Sequence, residues 1–151
     1  MHNFAYWLTA IATLLLDQGT KQLAIWFLRD QPSVLFWQGV LHFSYATNDG
    51  AAFSFFAGQV DWLKWVSLVV SLGLILWGWF AKWVRLEQIG YGLILGGALG
   101  NGIDRFVYGY VVDFLEIRLF RFPIFNLADV AINLGLVCLV WAVWREGQTR
   151  K

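Results

Sequence analysis

The sequence has little charge and few residues that cross-link or break a chain. Only 14% of its 151 residues are charged and the net charge is +1, which provides no basic field for a nucleic acid. Cysteine occurs once, as Cys138 in an apolar run, so an intrachain disulfide is excluded. The two prolines, Pro32 and Pro123, do not mark a linker. We therefore expect one domain over residues 1–151 that does not bind nucleic acid.

Apolar side chains are abundant instead. The chain is 59% hydrophobic, with ten Trp and thirteen Phe, whereas soluble domains are about 45–50% apolar. A bilayer core requires about 20 apolar residues per helix. Four stretches meet that length, and the first has no signal-peptide cleavage pattern and should be retained. The prediction is an all-α membrane protein with four transmembrane helices at about residues 4–28, 62–80, 89–107 and 127–144.

The basic residues predict how these helices are oriented. Cytoplasmic loops of membrane proteins carry an excess of Lys and Arg. One side of the predicted topology has the connector 81–88 and the tail after residue 144, and the other has two longer segments. The first side carries Lys82, Arg85, Arg145, Arg150 and Lys151, and the second carries Arg29, Arg118 and Arg121. We expect both termini in the cytoplasm.

The first outer segment shows two further patterns. Residues 34–45 contain two β-favouring runs around Gln38-Gly39, which predicts a small β-hairpin at the membrane surface. Residues 51–56 are apolar but too short to span, which favours a short helix lying in the interface. Membrane lipid is therefore an expected partner on this side.

Three carboxylates approach the outer face in this topology: Asp104, Asp113 and Asp129. An ionised carboxylate in lipid costs at least about 2.5–3.5 kcal/mol, so such residues usually have a function or a partner. A short turn separates Asp113 from Asp129 and can bring them together. Two adjacent carboxylates share a proton, so that one is a base and the other an acid near neutral pH. That pair can hydrolyse a peptide bond with water and without a metal.

A purely structural role for Asp113 and Asp129 is equally consistent with the sequence. Asp129 can simply cap the fourth helix, and Asp113 can pair with Arg118 or Arg121. Spacing alone does not decide between this reading and the catalytic pair.

Other polar residues have structural readings too. The glycines from 96 to 100 favour close helix packing, and Asn101, Asp104 and Arg105 follow on adjacent turns with one possible Asp–Arg pair. Asp17 and Lys21 are four residues apart and can neutralise each other within the first helix. Asn48-Asp49-Gly50 reads first as a turn, on the same side as the aspartates. His2 and His42 have no partners at metal-ligand spacing, so we expect no metal and no cofactor.

Five motifs in this order resemble one family, the lipoprotein signal peptidases or signal peptidases II. They are DQGTK at 17–21, NDGAAF at 48–53, GGALGNGIDR at 96–105, VVDF at 111–114 and FNLAD at 125–129. The resemblance covers nearly the whole chain. Val130, which follows the second aspartate, departs from the small polar residue expected there.

This resemblance implies a bacterial inner-membrane aspartic endopeptidase with its site at the periplasmic face. It would remove signal peptides from prolipoproteins, cutting before a cysteine that carries a diacylglyceryl group, and we expect it to act as a monomer. Asp113 and Asp129 would be the catalytic residues. Substrate binding or ordering of the pair would fall to Asn48, Gly50, Asn101, Arg105 and Asn126, with Asp17, Lys21 and Asp104 supporting them. The hairpin and the interfacial helix would form a cradle that clamps the lipidated peptide.

Two other classes compete with this interpretation. Buried acids in a helix bundle also serve proton-coupled transporters, which would move a solute and cleave nothing. A non-catalytic scaffold would use the same groups for packing, and Asp to Asn changes would leave its function intact.

Overall fold

The structure, a computed structural model, describes residues 3–50 and 59–149. The described residues form four helices: α1 (Phe4–Leu28), α2 (Val60–Phe80), α3 (Arg85–Val107) and α4 (Leu127–Thr149). Three strands complete the fold: β1 (Val34–Trp37), β2 (Leu41–Asn48) and β3 (Val111–Ile117). The predicted hairpin is present as β1 and β2, and the sequence analysis missed β3. The predicted interfacial helix at 51–56 lies outside the described residues.

Helix α3 is the centre of the bundle and packs against the other three helices. Its glycines permit this close approach. A Cβ at Gly96 would lie 2.6 Å from the carbonyl oxygen of Ala10 in α1, and one at Gly97 would lie 2.6 Å from that of Ala128 in α4. These separations are too short for any side chain larger than hydrogen. The prediction that this segment packs closely is therefore confirmed on two sides of α3.

The outer surface of the bundle is apolar. Large hydrophobic side chains such as Leu15, Val69, Phe80 and Val140 are more than half exposed, at 67 to 83%. In water they would leave a large exposed apolar surface. Within residues 3–50 and 59–149, two helices are long and apolar enough to cross a membrane by length and composition, over Val60–Phe80 and Leu127–Gln148. Lipid contact is the physical explanation of this surface.

Two helix boundaries differ from the prediction by four residues or more, and α2 begins two residues earlier than predicted, at Val60. Helix α3 begins at Arg85 rather than 89, because the Glu87 carboxylate accepts the backbone N–H of Val84 at 3.0 Å and so stabilises an earlier start. The predicted connector 81–88 is thereby reduced to four residues. Helix α4 continues to Thr149, five residues beyond the predicted end. The hydropathy window located the apolar part of each helix and missed its polar ends.

The strands form an antiparallel sheet in the order β1-β2-β3. The turn between β1 and β2 contains Gly39 at φ +71°, a conformation that favours glycine. Strand β3 packs through Val112 and Phe114 against Ala24 near the end of α1. This packing attaches the sheet to one end of the bundle. It also brings Asp113 of β3 towards the start of α4.

The opposite end of the bundle is joined by polar contacts from the start of α1. The side-chain amide of Asn3 donates to the carbonyls of Gly78 and Ala81, both at 2.8 Å, where α2 ends. The Tyr6 hydroxyl donates to the Leu74 carbonyl at 2.7 Å. The bonds from Asn3 satisfy carbonyl groups that the end of α2 would otherwise leave without helical partners.

Candidate active site

Asp113 lies in β3 and is almost completely buried, with 2% of its surface exposed. Its two oxygens accept amide hydrogens from opposite sides: Oδ1 from Asn126 Nδ2 at 2.6 Å and Oδ2 from Asn48 Nδ2 at 3.0 Å. Burial and then the negative charge of Asp129 raise the pKa of Asp113 to about 7, against the lowering effect of these two bonds. This carboxyl can therefore carry a proton at neutral pH.

Asp129 occupies the first turn of α4, three residues after the N-cap Asn126. The two residues cap the helix reciprocally: Asn126 Oδ1 accepts the backbone N–H of Asp129 at 3.0 Å, and Asp129 Oδ2 accepts that of Asn126 at 3.2 Å. Asn101 Nδ2 donates to the other oxygen, Asp129 Oδ1, at 2.9 Å. Both oxygens of Asp129 therefore accept hydrogen bonds from N–H donors near the N-terminus of α4.

Asp129 therefore caps α4, as its structural reading predicted. It also accepts a hydrogen bond from Asn101, which capping does not require. The proposed pairing of Asp113 with Arg118 or Arg121 is wrong: its carboxylate is bound by two asparagines, and Arg118 pairs with Glu116 at 2.9 Å. Asn126 brings the two carboxyl groups together, since its Nδ2 donates to Asp113 Oδ1 at 2.6 Å and its backbone N–H donates to Asp129 Oδ2 at 3.2 Å.

A buried charge cluster, Asp17, Lys21 and Asp104, lies beside the aspartates. The Lys21 ammonium contacts Asp17 Oδ2 and Asp104 Oδ2, each at 2.9 Å, and donates to Asn101 Oδ1 at 2.8 Å. The predicted Asp17–Lys21 pair is therefore confirmed. The suggested pairing of Asp104 with Arg105 is not what the structure has, because Asp104 turns inward to the ammonium of α1.

Arg105 points towards the turn that follows β2. Its guanidinium donates to the Gly50 carbonyl at 2.9 Å and to the Asn101 carbonyl at 3.3 Å. The predicted turn at 48–50 is present, since Asn48 Oδ1 accepts the Gly50 backbone N–H at 2.9 Å. Asn48 and Gly50 therefore connect Arg105 with Asp113, and this turn does lie beside the aspartates.

Three contacts of the cluster were missed by the sequence analysis. Gln18 Nε2 donates to Asp104 Oδ1 at 2.9 Å, and its amide at membrane depth beside Asp17 was an available signal. The other two involve backbone groups, the N–H of Val112 on Asp104 and that of Ala128 on Asp17, at 3.0 and 2.9 Å. Backbone donors leave no mark in a sequence.

A second polar cluster lies further along the sheet. Glu116 accepts hydrogen bonds from Arg118 and from the hydroxyls of Ser44 and Ser33, and these bonds lower the pKa of Glu116 to about 2. His42 lies 3.2 Å from the Ser33 hydroxyl. Within residues 3–50 and 59–149, no group of three His, Cys, Asp or Glu side chains is placed to hold a metal ion.

The arrangement around Asp113 and Asp129 suits acid–base chemistry. One carboxyl group is buried with a pKa of about 7, and its neighbour is held by N–H donors at a helix N-terminus. Different environments for two adjacent carboxyl groups allow one to act as acid and the other as base.

Two solved structures are similar to this fold, and both are titled as bacterial membrane enzymes determined in meso. One matches with a TM-score of 0.87 at 27% identity, over 95% of this chain and 90% of the other. The second matches with a TM-score of 0.79 at 28% identity, over 90% of both chains. The apolar bundle, its buried carboxylates and these matches define a bacterial membrane enzyme.

Sequence comparison narrows this class. The family model described as signal peptidase (SPase) II matches residues 9–145. A lipoprotein signal peptidase of Gloeothece citriformis is 55% identical over 93% of this chain and 89% of its own length. One from Synechocystis is 50% identical over 99% of this chain and 93% of its own. The chain belongs to the signal peptidase II family, whose members are proteases, and the resemblance seen in the sequence is confirmed.

Proposed function

We propose that this protein is an aspartic endopeptidase that removes signal peptides from diacylglyceryl-modified prolipoproteins, cutting before the lipidated cysteine. The observation that carries the proposal is the meeting of Asp113 and Asp129 across Asn126, which contacts both. Family membership supports the substrate class, because the similar proteins are named lipoprotein signal peptidases.

The roles of the two aspartates follow from their surroundings. Asp113 carries the proton at rest, since it is buried and its pKa is about 7. Asp129 is the base, because a helix N-terminus and two N–H donors stabilise its charge. A water molecule lies between them. Its oxygen attacks the scissile carbonyl carbon while the water gives a proton to Asp129, and Asp113 gives its own proton to the carbonyl oxygen.

The second half of the reaction returns both groups to their starting states. The tetrahedral intermediate collapses as the carbon–nitrogen bond breaks, and the proton on Asp129 passes to the leaving amine of the lipidated cysteine. Asp113 recovers a proton from the intermediate as the new carboxyl group forms. Burial of Asp113 strengthens these interactions, because water does not screen them.

Substrate binding falls to the polar groups around the pair. Arg105 and the turn at Asn48 and Gly50 lie on the side from which the peptide would enter. The Arg105 Nε–H has no acceptor among the described residues and suits a peptide carbonyl. Asn101 and Asn126 order the carboxylates. The buried charge cluster of Asp17, Lys21 and Asp104 supports Asn101 from below.

We also propose how the four helices are arranged in the membrane. All four helices cross the inner membrane of a bacterium as a single domain over residues 1–151, which acts as a monomer. The pair Asp17 and Lys21 neutralises the charge that α1 would otherwise carry into lipid. Both termini are cytoplasmic, on the side of Lys82, Arg85 and Arg145. The site then opens at the outer face, where the sheet and the segment at 51–56 receive the lipidated substrate.

The test is incubation of the detergent-purified protein with one prolipoprotein prepared with and without its diacylglyceryl group. We expect cleavage of the lipidated form at the bond before the cysteine, identified by the mass of both products, and at least tenfold slower cleavage of the unmodified form. Equal cleavage of both forms would contradict the substrate class. A folded protein that cleaves neither and moves protons across vesicles would instead favour a transporter.

A further inference from the structure

The side-chain amide of Asn101 lies between a cation and an aspartate. Its Oδ1 accepts from the Lys21 ammonium at 2.8 Å, and its Nδ2 donates to Asp129 Oδ1 at 2.9 Å. An ammonium group can only donate hydrogen bonds, so the atom that faces it must be the amide oxygen. The amide nitrogen is then directed to Asp129, where an amide rotated by 180° would instead present a second oxygen to a carboxylate.

Lys21 is well placed to hold this orientation. Its side chain is 3% exposed, and its three donors are matched by three acceptors, Asp17 Oδ2, Asp104 Oδ2 and Asn101 Oδ1. The two ion pairs fix the ammonium, and a charged donor forms a stronger hydrogen bond than a neutral one. The Asn101 oxygen therefore meets a donor that is both strong and fixed in position.

The second donor to this oxygen is weaker. Asn126 Nδ2 lies 3.1 Å from Asn101 Oδ1, but it also lies 2.6 Å from Asp113 Oδ1 and 3.3 Å from the Val112 carbonyl. Its two hydrogens are thus shared among three acceptors, and the shortest contact is with Asp113. Lys21 is consequently the main determinant of how the Asn101 amide is turned.

We propose that Lys21 is a positioning residue for the reaction, which fixes the Asn101 amide so that its N–H group faces Asp129. Lys21 does not touch the reacting atoms and acts through Asn101. This inference rests on the proposed function for its catalytic consequence, while the orientation of the amide is a property of the folded protein alone.

Loss of Lys21 also removes a positive charge, so the test needs a charge-balanced variant. The charged groups around Asn101 and Asp129 are Asp17 and Lys21 of α1, Asp104 and Arg105 of α3, and Asp113 of β3. The double variant Lys21→Met with Asp104→Asn removes one charge of each sign. It leaves the net charge of this group unchanged while Asn101 loses its cationic donor.

The direct readout is the side-chain amide signal of Asn101 in the ¹H–¹⁵N spectrum of the full chain in detergent micelles, followed from pH 5 to 9. In the wild type we expect both amide protons to shift as the aspartate pair titrates. In the double variant we expect that pH-dependent shift to fall at least twofold. A shift equal to the wild type's would overturn the proposal, and neither result requires that the protein cleave anything.

The kinetic readout separates positioning from binding. We expect kcat of the double variant to fall at least tenfold with KM within twofold, and a folded variant with wild-type kcat would overturn the proposal.

If the double variant does not fold, Asn101→Asp serves instead, because it keeps an oxygen for Lys21 and replaces the N–H group that faces Asp129. The acidic limb of the kcat–pH profile of this variant should then lie at least one pH unit higher than that of wild type. An acidic limb at the wild-type pH would overturn the proposal. If wild type lacks activity, the proposed function fails while the spectrum still decides the orientation.

Discussion

Asn126 Nδ2 lies 2.6 Å from Asp113 Oδ1, so the residue that caps the start of α4 also holds a carboxylate of β3. The oxygen of the same amide accepts the Asp129 backbone N–H at 3.0 Å. Because the capping bond fixes the oxygen, the nitrogen must face Asp113. One side chain therefore sets the position of the sheet carboxylate relative to the helix carboxylate.

Substitution of Asn126 should separate its two roles. Serine is as good an N-cap as asparagine but has no amide to reach Asp113. We expect Asn126→Ser to cost about 1–3 kcal/mol, because the buried Asp113 carboxylate loses the donor at Oδ1, and to lower kcat at least tenfold. Asn126→Ala removes the cap as well and should lose about 1 kcal/mol more. Thermal unfolding in detergent and the cleavage assay measure the two effects, and full activity of the serine variant would contradict the role given to the amide.

The pH dependence of cleavage should report the proton on Asp113. Since the pKa of this group is about 7 and the protonated form is the acid, kcat should fall as pH rises above about 7. The hydrogen bond from Asn48 lowers this pKa, so Asn48→Ala should raise it and move the alkaline limb to higher pH. Thr47→Ala, on the exposed neighbour in β2, is the control and should keep the wild-type profile. If the alkaline limb of Asn48→Ala lay at lower pH than that of wild type, the assignment of this limb to Asp113 would be contradicted.

Close packing of α3 against α4 should be needed to place Asp129. A Cβ at position 97 would lie 2.6 Å from the Ala128 carbonyl, directly before Asp129. We expect Gly97→Ala to cost about 1–3 kcal/mol by overpacking and to reduce kcat. Gly73 of α2 has no atom within 4 Å of an added Cβ, so Gly73→Ala should leave both quantities near wild type. Equal effects of the two changes, measured by unfolding and cleavage, would contradict the role given to close packing at position 97.

Much of the fold could be predicted from the sequence because long apolar helices follow from composition. The apolar stretches and the Gln38-Gly39 turn predicted all four helices and the first two strands. Strand β3 was missed because Val111, Val112 and Phe114 are buried on both sides between the sheet and α1, so the strand lacks the alternation that marks an exposed sheet. Glu87 extends α3 through a side-chain bond that hydropathy cannot register.

The candidate site was predictable to a different extent at each residue. Asp113, Asp129 and the Asp17–Lys21 pair could be named because charges are costly in lipid. The partner of Asp104 could not, since Arg105 is adjacent in sequence and Lys21 reaches it only after α1 packs on α3. The direction of each asparagine amide also depends on atoms brought together by folding.

The central claim is that Asp113 and Asp129 together cleave the substrate. Its most direct test compares wild type, Asp113→Asn, Asp129→Asn and Asp61→Asn for cleavage of a diacylglyceryl-modified prolipoprotein, with unfolding curves for each. Asp61 undergoes the same chemical change at an exposed position, where its side chain is 91% accessible. We predict that Asp113→Asn and Asp129→Asn both fold and that their cleavage rates fall at least a thousandfold, while Asp61→Asn remains active. A folded Asp113→Asn or Asp129→Asn variant with activity near that of wild type would contradict the claim.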